Sequence, residues 1–196
     1  MHAVELRARI ARFPRSPAPL ASDDASMFTD GKLTAAAVLI PIILGPQPAI
    51  LLTKRSARMA KHAGQVSFPG GRIDPKDAHA EAAALREAEE EIALAPHHVE
   101  LAGRLGDYVT GTGYAITPIL GFIASGLAFR PNPREVDAVF EFSLATLLDP
   151  DAPTRQRHFT HNLWRDYWVW PHPEHFIWGA TAGILVHLAA LLRDPA

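Results

Sequence analysis

The sequence reads as a single domain of mixed strands and helices, compatible with an α/β fold. Apolar, strand-like runs lie before and after one strongly acidic helical segment, and no linker or internal repeat divides the 196 residues. A composition of 48% apolar and 20% charged residues supplies enough apolar side chains for a real core and argues against disorder.

Taken in order, residues 4–13 form a short helix, with Val4, Leu6, Ile10 and Phe13 spaced among charges. Pro14, Pro17 and Pro19 stop it, and the polar stretch from Ser22 to Gly31 reads as a loop. Residues 34–44 (TAAAVLIPIIL) read as a strand that Pro41 confines to a sheet edge or a bulge. A turn at Gly45-Pro46-Gln47-Pro48 leads to a second strand at 49–55. Residues 56–76 are rich in glycine, histidine and basic residues and read as an irregular functional loop. A strong helix follows over 78–93, with Asp77 as its N-cap and Pro96 beyond its end. Strands are expected at 99–109 and 114–124 around the turn Gly111-Thr112-Gly113, and at 136–142, leading into a short helix at 143–148. The last element is a helix from Phe176 to Leu192.

Composition also excludes classes of function. A net charge of −2 with no basic tail gives nucleic acid no electrostatic footprint. The absence of cysteine removes disulfides and thiolate metal sites, and a reducing cytoplasm is the expected compartment. The N-terminus lacks the apolar middle of a secretory signal. Residues 176–192 contain His187, Thr181 and many small residues, so a buried helix is expected rather than a membrane span. Gly179 and Gly183 would let a neighbouring element pack closely there. A homodimer is compatible with this sequence.

The chemistry is expected in residues 70–94, GGRIDPKDAHAEAAALREAEEEIAL. On a helix, positions three and four apart share a face, so Glu87, Glu90 and Glu91 converge. Carboxylates held that close repel one another unless a cation joins them, and hard divalent ions such as Mg²⁺ prefer oxygen ligands. The competing reading is a solvated acidic face. The preceding Phe68-Pro69-Gly70-Gly71 favours a site, because glycines let backbone approach a metal or phosphate closely.

These residues resemble the Nudix motif G-x5-E-x7-R-E-U-x-E-E-x-G-U, in which U is a bulky apolar residue. The sequence supplies Gly71, Arg86-Glu87, Glu90-Glu91 and Leu94. It departs from the motif at Asp77, at one extra residue before Arg86, at Ala88 and at Ala93. Upstream, LLTKRSARMAKHAGQVSFPGG (residues 51–71) resembles the signature of the coenzyme A diphosphatase branch, with Ala60 where that signature has Arg. The extra residue fits the branch pattern GGxxDPxD, here Gly70 to Asp77. Glu135 to Phe140 and Phe176 to Gly179 are also similar to branch segments, so the resemblance spans roughly residues 37–190.

The resemblance implies an α/β/α sandwich with a mixed sheet over 34–196, preceded by an N-terminal helix and loop at 1–33. It implies Mg²⁺- or Mn²⁺-dependent hydrolysis of a diphosphate in a small nucleotide substrate, coenzyme A first. Another nucleoside diphosphate derivative (ADP-ribose, a dinucleotide or a modified triphosphate) and a silent nucleotide-binding fold stay open. Glu87, Glu91 and Glu90 are the expected metal ligands, with the Gly70 carbonyl beside them, and Glu87 is a candidate to assist deprotonation of water, a role that the family gives to different carboxylates. Glu135 is either a late acid from a loop or a surface charge. Arg86 suits a salt bridge that orients the carboxylates better than a substrate contact. Arg55, Arg58, Lys61, His62 and Gly71 are candidates for substrate binding, against ordinary surface basics. The H-x-x-H pairs His158/His161 and His172/His175 suggest zinc only weakly. The four tryptophans, Trp164, Trp168, Trp170 and Trp178, read mainly as core, with stacking on an adenine as the alternative.

Overall fold

The computed structural model describes residues 1–14, 17–23, 31–160 and 163–193. Most of the predicted Ser22–Gly31 loop, residues 24–30, lies outside the described residues, as does His161. The elements are α1 (Ala3–Ile10), β1 (Thr34–Leu44), β2 (Ala49–Arg55), β3 (Val66–Ser67), β4 (Gly70–Arg72), α2 (Ala80–Ile92), β5 (Glu100–Arg104), β6 (Tyr108–Val109), β7 (Tyr114–Ala124), β8 (Val136–Ser143), α3 (Leu144–Leu148), β9 (Thr154–Thr160), β10 (Leu163–Trp170), β11 (Ile177–Trp178) and α4 (Gly179–Arg193).

The main sheet runs β3-β2-β1-β7-β5, with β4 added to β1, β6 to β7 and β8 to β2. β1 and β7 are parallel from Thr34↔Tyr114 to Leu44↔Ala124, and the other pairings are antiparallel, which makes the sheet mixed. Parallel strands need a long crossover, and here it contains α2. β1 is apolar along its length because both of its faces are covered. Ala37, Leu39 and Ile43 face Ala83, Ala84, Ala88 and Ile92 of α2. Ile40 and Ile42 face the opposite core, which holds Leu6 and Ile10 of α1, Leu147 of α3 and Leu185 and Leu188 of α4. The layers are therefore helix, sheet, helix, as the resemblance implied.

Several local expectations are corrected. Pro41 lies in the middle of the sheet, opposite Gly121, with no bulge in the β1–β7 register. The Leu39 amide donates to the Pro69 carbonyl, so by alternation residue 41 presents its nitrogen to the same side. There β1 has finished pairing with β4, at Val38↔Gly70, and has not begun pairing with β2, at Ile42↔Ile50. The proline thus lacks a donor where β1 changes partners. The single strand expected at 99–109 is two, β5 and β6. The 176–192 helix begins only at Gly179, because Ile177 and Trp178 pair with β10.

α4 is buried along one side, and no helix among the described residues is long and apolar enough to cross a membrane. The two glycines of α4 divide their expected role. A Cβ at Gly183 would fall 2.5 Å from the Tyr108 hydroxyl, so the ring packs on bare backbone. Gly179 instead supplies a left-handed turn at φ 65°.

The motif's late Gly is Ala93, which takes the left-handed conformation (φ 57°, ψ 30°) as the C-cap of α2. That conformation costs an L-residue about 1–2 kcal/mol, partly offset by the extra chain entropy that glycine loses on folding. Ala93→Gly is expected to stabilise the protein by roughly 0.5–1 kcal/mol, read as a raised urea midpoint at unchanged m-value. A lowered midpoint would contradict this account of the cap.

Candidate active site

α2 begins at Ala80, not at 78, and its N-cap is His79, whose side chain accepts the Ala82 amide. This frees Asp77 from capping. Arg86 takes it instead, donating to Asp77 through Nε at 3.0 Å and Nη2 at 2.9 Å. The same guanidinium donates to Glu87 at 2.9 Å, to Glu90 at 3.1 Å and to the Arg72 carbonyl at 3.2 Å. Every donor of the planar fork is used. The Arg86 bond holds the Asp77 carboxyl down at about 2, and Asp77 in turn raises Arg86 above its already high value. Asp77 therefore fills the place of the motif's first Glu as an anchor for Arg86.

The three helix carboxylates do not form one wall. Glu90 stays largely exposed and paired to Arg86, one turn before it. Glu91 turns the other way, into the sheet, and is 2% exposed. Its Oε2 accepts the Gly70 amide at 3.2 Å, and Arg55 Nη1 stands 3.7 Å from Oε1. Glu87 lies between them against β4. A Cβ at Gly71 would sit 2.6 Å from the Glu87 carboxyl carbon, so only glycine leaves room for that carboxylate. Among the described residues, no three acidic or imidazole groups gather into a ready-made metal cage, and Arg86 is paired with both Glu87 and Glu90.

Burial pushes Glu91 up to about 8, against the Gly70 amide and Arg55, while the charges of Glu87 and Glu135 push the same way. Glu87 is also raised, first by burial, with Glu90 and Glu135 contributing against the Arg86 bond. The excess of carboxylate charge in a half-buried setting fits a divalent cation, which would reverse that penalty.

Glu135 comes to these carboxylates on the segment before β8. That segment is tied to the end of α2 by amide bonds from Arg130 to the Ile92 carbonyl (3.0 Å) and from Asn132 to the Glu91 carbonyl (2.8 Å). Arg55, at the end of β2, keeps a buried Nε with no hydrogen-bond partner. Arg58, Lys61 and His62 occupy the exposed loop between β2 and β3, where His62 is bonded to Gln65 at 2.9 Å. Of the loop cations expected to bind substrate, the structure thus brings Arg55 to the acids and leaves these three at the rim.

Outside this region, the His172 and His175 rings stack 4.8 Å apart beside Phe140. Trp170 is core, donating to the Ala182 carbonyl at 3.1 Å, and Trp168 is half-buried. Trp164, 66% exposed, and Trp178, 38% exposed, depart from the core reading. Beside the expected site residues the structure also places Ser56, which is buried, and Asp137, whose Oδ2 accepts the Ala57 amide at 3.0 Å. Both lie in the segments 51–71 and 135–140 that resemble the branch, and their contact joins positions far apart in sequence, which spacing alone does not reveal.

The NUDIX domain model matches residues 33–163. The chain is 48% identical over 158 residues to the uncharacterized Nudix hydrolase NudL of Escherichia coli K12, covering 79% of this chain and 80% of that protein. The Shigella boydii NudL is 47% identical over the same length. Among solved structures, a MutT/nudix family protein from Enterococcus faecalis superposes with a TM-score of 0.54 at 13% identity, over 81% of this chain and 61% of that one. A C. elegans Ap4A hydrolase gives 0.52 at 16% identity, over 82% and 93%.

Proposed function

The chain belongs to the Nudix family of hydrolases acting on diphosphate linkages of nucleoside derivatives, and from that premise we propose that its substrate is coenzyme A. Water would attack one phosphorus of the diphosphate and break its bond to the bridging oxygen, releasing 4′-phosphopantetheine and adenosine 3′,5′-bisphosphate. The observation that carries this reading is the 51–71 segment: it resembles the coenzyme A branch and delivers Arg55 to within 3.7 Å of Glu91.

Glu87, Glu91 and the Gly70 carbonyl would hold the divalent ion, with Glu90 as an outer ligand. Bound Mg²⁺ or Mn²⁺ would neutralise the diphosphate and lower the pKa of water. Arg86 and Asp77 keep Glu87 and Glu90 in place. Glu87, made more basic by burial, accepts the water's proton, and Glu135 adds a late acid from its loop. Gly71 leaves space for Glu87 and for the phosphates. Arg55, partly exposed beside Glu91, binds a phosphate oxygen through its guanidinium, while Arg58, Lys61 and His62 meet the outer phosphates. The retained Arg86-Glu87 and Glu90-Glu91 pairs favour an active hydrolase over a silent binding fold. Residues 34–196 form the catalytic unit in this reading, with 1–33 as an N-terminal addition.

Ala60, in place of the branch Arg, supports a second reading in which another nucleoside diphosphate derivative is preferred. A substrate panel with metal-loaded enzyme decides between them. Coenzyme A is expected to give a higher kcat/KM than ADP-ribose or dinucleotides, because its 3′-phosphate adds charge for the loop cations. Arg55→Ala or Lys61→Ala should narrow the gap. Ready cleavage of ADP-ribose with coenzyme A left untouched would refute the coenzyme A assignment and leave the family assignment standing.

A further inference from the structure

The β2–β8 ladder slips by one residue beside the site: Lys54 pairs with Ala138 and Arg55 with Val136. Asp137 is the residue left over. A bulge of this kind bends a strand and re-aims a side chain. Here the Asp137 carboxylate faces the chain leaving β2, where Oδ2 accepts the Ala57 amide at 3.0 Å and the Ser56 side chain lies beside the same carboxylate, while Ser56 Oγ accepts the Arg58 amide at 3.4 Å. Ser56 is 1% exposed, so its polar groups must be satisfied within the protein. Its amide donates to the Glu135 carbonyl at 2.8 Å, and its own carbonyl accepts the Met59 amide at 3.1 Å. Two loops are thereby joined at one point: the one carrying Arg58, Lys61 and His62, and the one carrying Glu135.

We propose that Ser56 and Asp137 form a clasp that positions the cationic loop over the acidic site, with Asp137 a positioning residue for substrate binding. This rests on the hydrolase reading above but not on coenzyme A being the substrate. Removing the Asp137 carboxylate releases the Ala57 amide and takes the neighbouring charge away from the Ser56 side chain, which holds the Arg58 amide. The backbone bond from Ser56 to Glu135 remains, so the acids keep their arrangement. Substrate binding is therefore the step that suffers.

The test uses full-length, metal-loaded enzyme and whichever nucleoside diphosphate derivative the wild type cleaves best. Asp137→Ala and Ser56→Ala are expected to raise KM roughly tenfold while kcat stays within about threefold. Asp137→Asn retains an acceptor oxygen and should recover most of the loss. Trypsin should cut after Arg58 or Lys61 several-fold faster in the alanine variants at a nearly unchanged Tm. A general folding defect would instead lower Tm and the active fraction without moving KM. The clasp is overturned if KM and loop cleavage match the wild type, if kcat falls at constant KM, or if Asp137→Asn is as impaired as Asp137→Ala. A wild type that cleaves no diphosphate at all would refute the hydrolase reading itself.

Discussion

Glu91→Gln is expected to lower kcat by a hundredfold or more while leaving the fold intact. Glutamine keeps the shape and an oxygen for the Gly70 amide, now bonded at 3.2 Å, but cannot offer a metal the charge that Glu91 does. The same substitution should not weaken the fold, because it replaces a carboxyl that burial drives toward its neutral form. In chelator-treated protein the folded-state pKa of about 8 lies above the ordinary carboxylate value, so the folded state binds the extra proton. Glu91's contribution is then fully present at low pH and is lost as pH rises toward 8. Wild-type Tm should therefore decline relative to Glu91→Gln between about pH 5 and pH 8. Wild-type turnover in the variant would mean that the acidic face is only solvated.

Chelation is expected to abolish hydrolysis, and Mg²⁺ or Mn²⁺ to restore it. The half-buried Glu87 and buried Glu91, each with its charged form disfavoured by burial and by neighbouring carboxylates, motivate this. A ligand that binds only the folded state also raises its stability, by about 2.7 kcal/mol at a hundred times Kd. The ion should thus raise Tm in the wild type and much less in Glu91→Gln. Full turnover in metal-free buffer would end the metal-assisted mechanism.

Legibility in the sequence followed the strength of the local signal. The 3.6-residue period marked α2, and the Arg86-Glu87 and Glu90-Glu91 pairs marked its chemistry, because both depend on spacing along one element. Spacing alone could not assign a direction to each acid. Glu90 and Glu91 are adjacent, yet Arg86 holds one at the surface and Gly70 receives the other in the interior. That difference comes from β4, which is distant in sequence. β9 was not foreseen at all. TRQRHFT carries no apolar alternation, since Thr154–Phe159 are exposed, and its pairing with β10 alone makes it a strand. Pro41 misled for the opposite reason: proline is excluded from a ladder only where a donor is required, and a change of strand partner removes the requirement.

The contact between α2 and the sheet has a consequence for how the protein tolerates change. Ala83, Ala84 and Ala88 are fully buried beneath α2, so the helix rests almost directly on the strands. A floor of methyl groups has no rotamers with which to absorb a larger neighbour. Any added bulk at these positions must lift the helix bodily, and Glu87, Glu90 and Glu91 with it. The placement of the acids therefore depends on residues that lie in the core beneath them. Ala88 stands where the motif has a bulky apolar residue, and bulk placed there would require compensating room in the strands below.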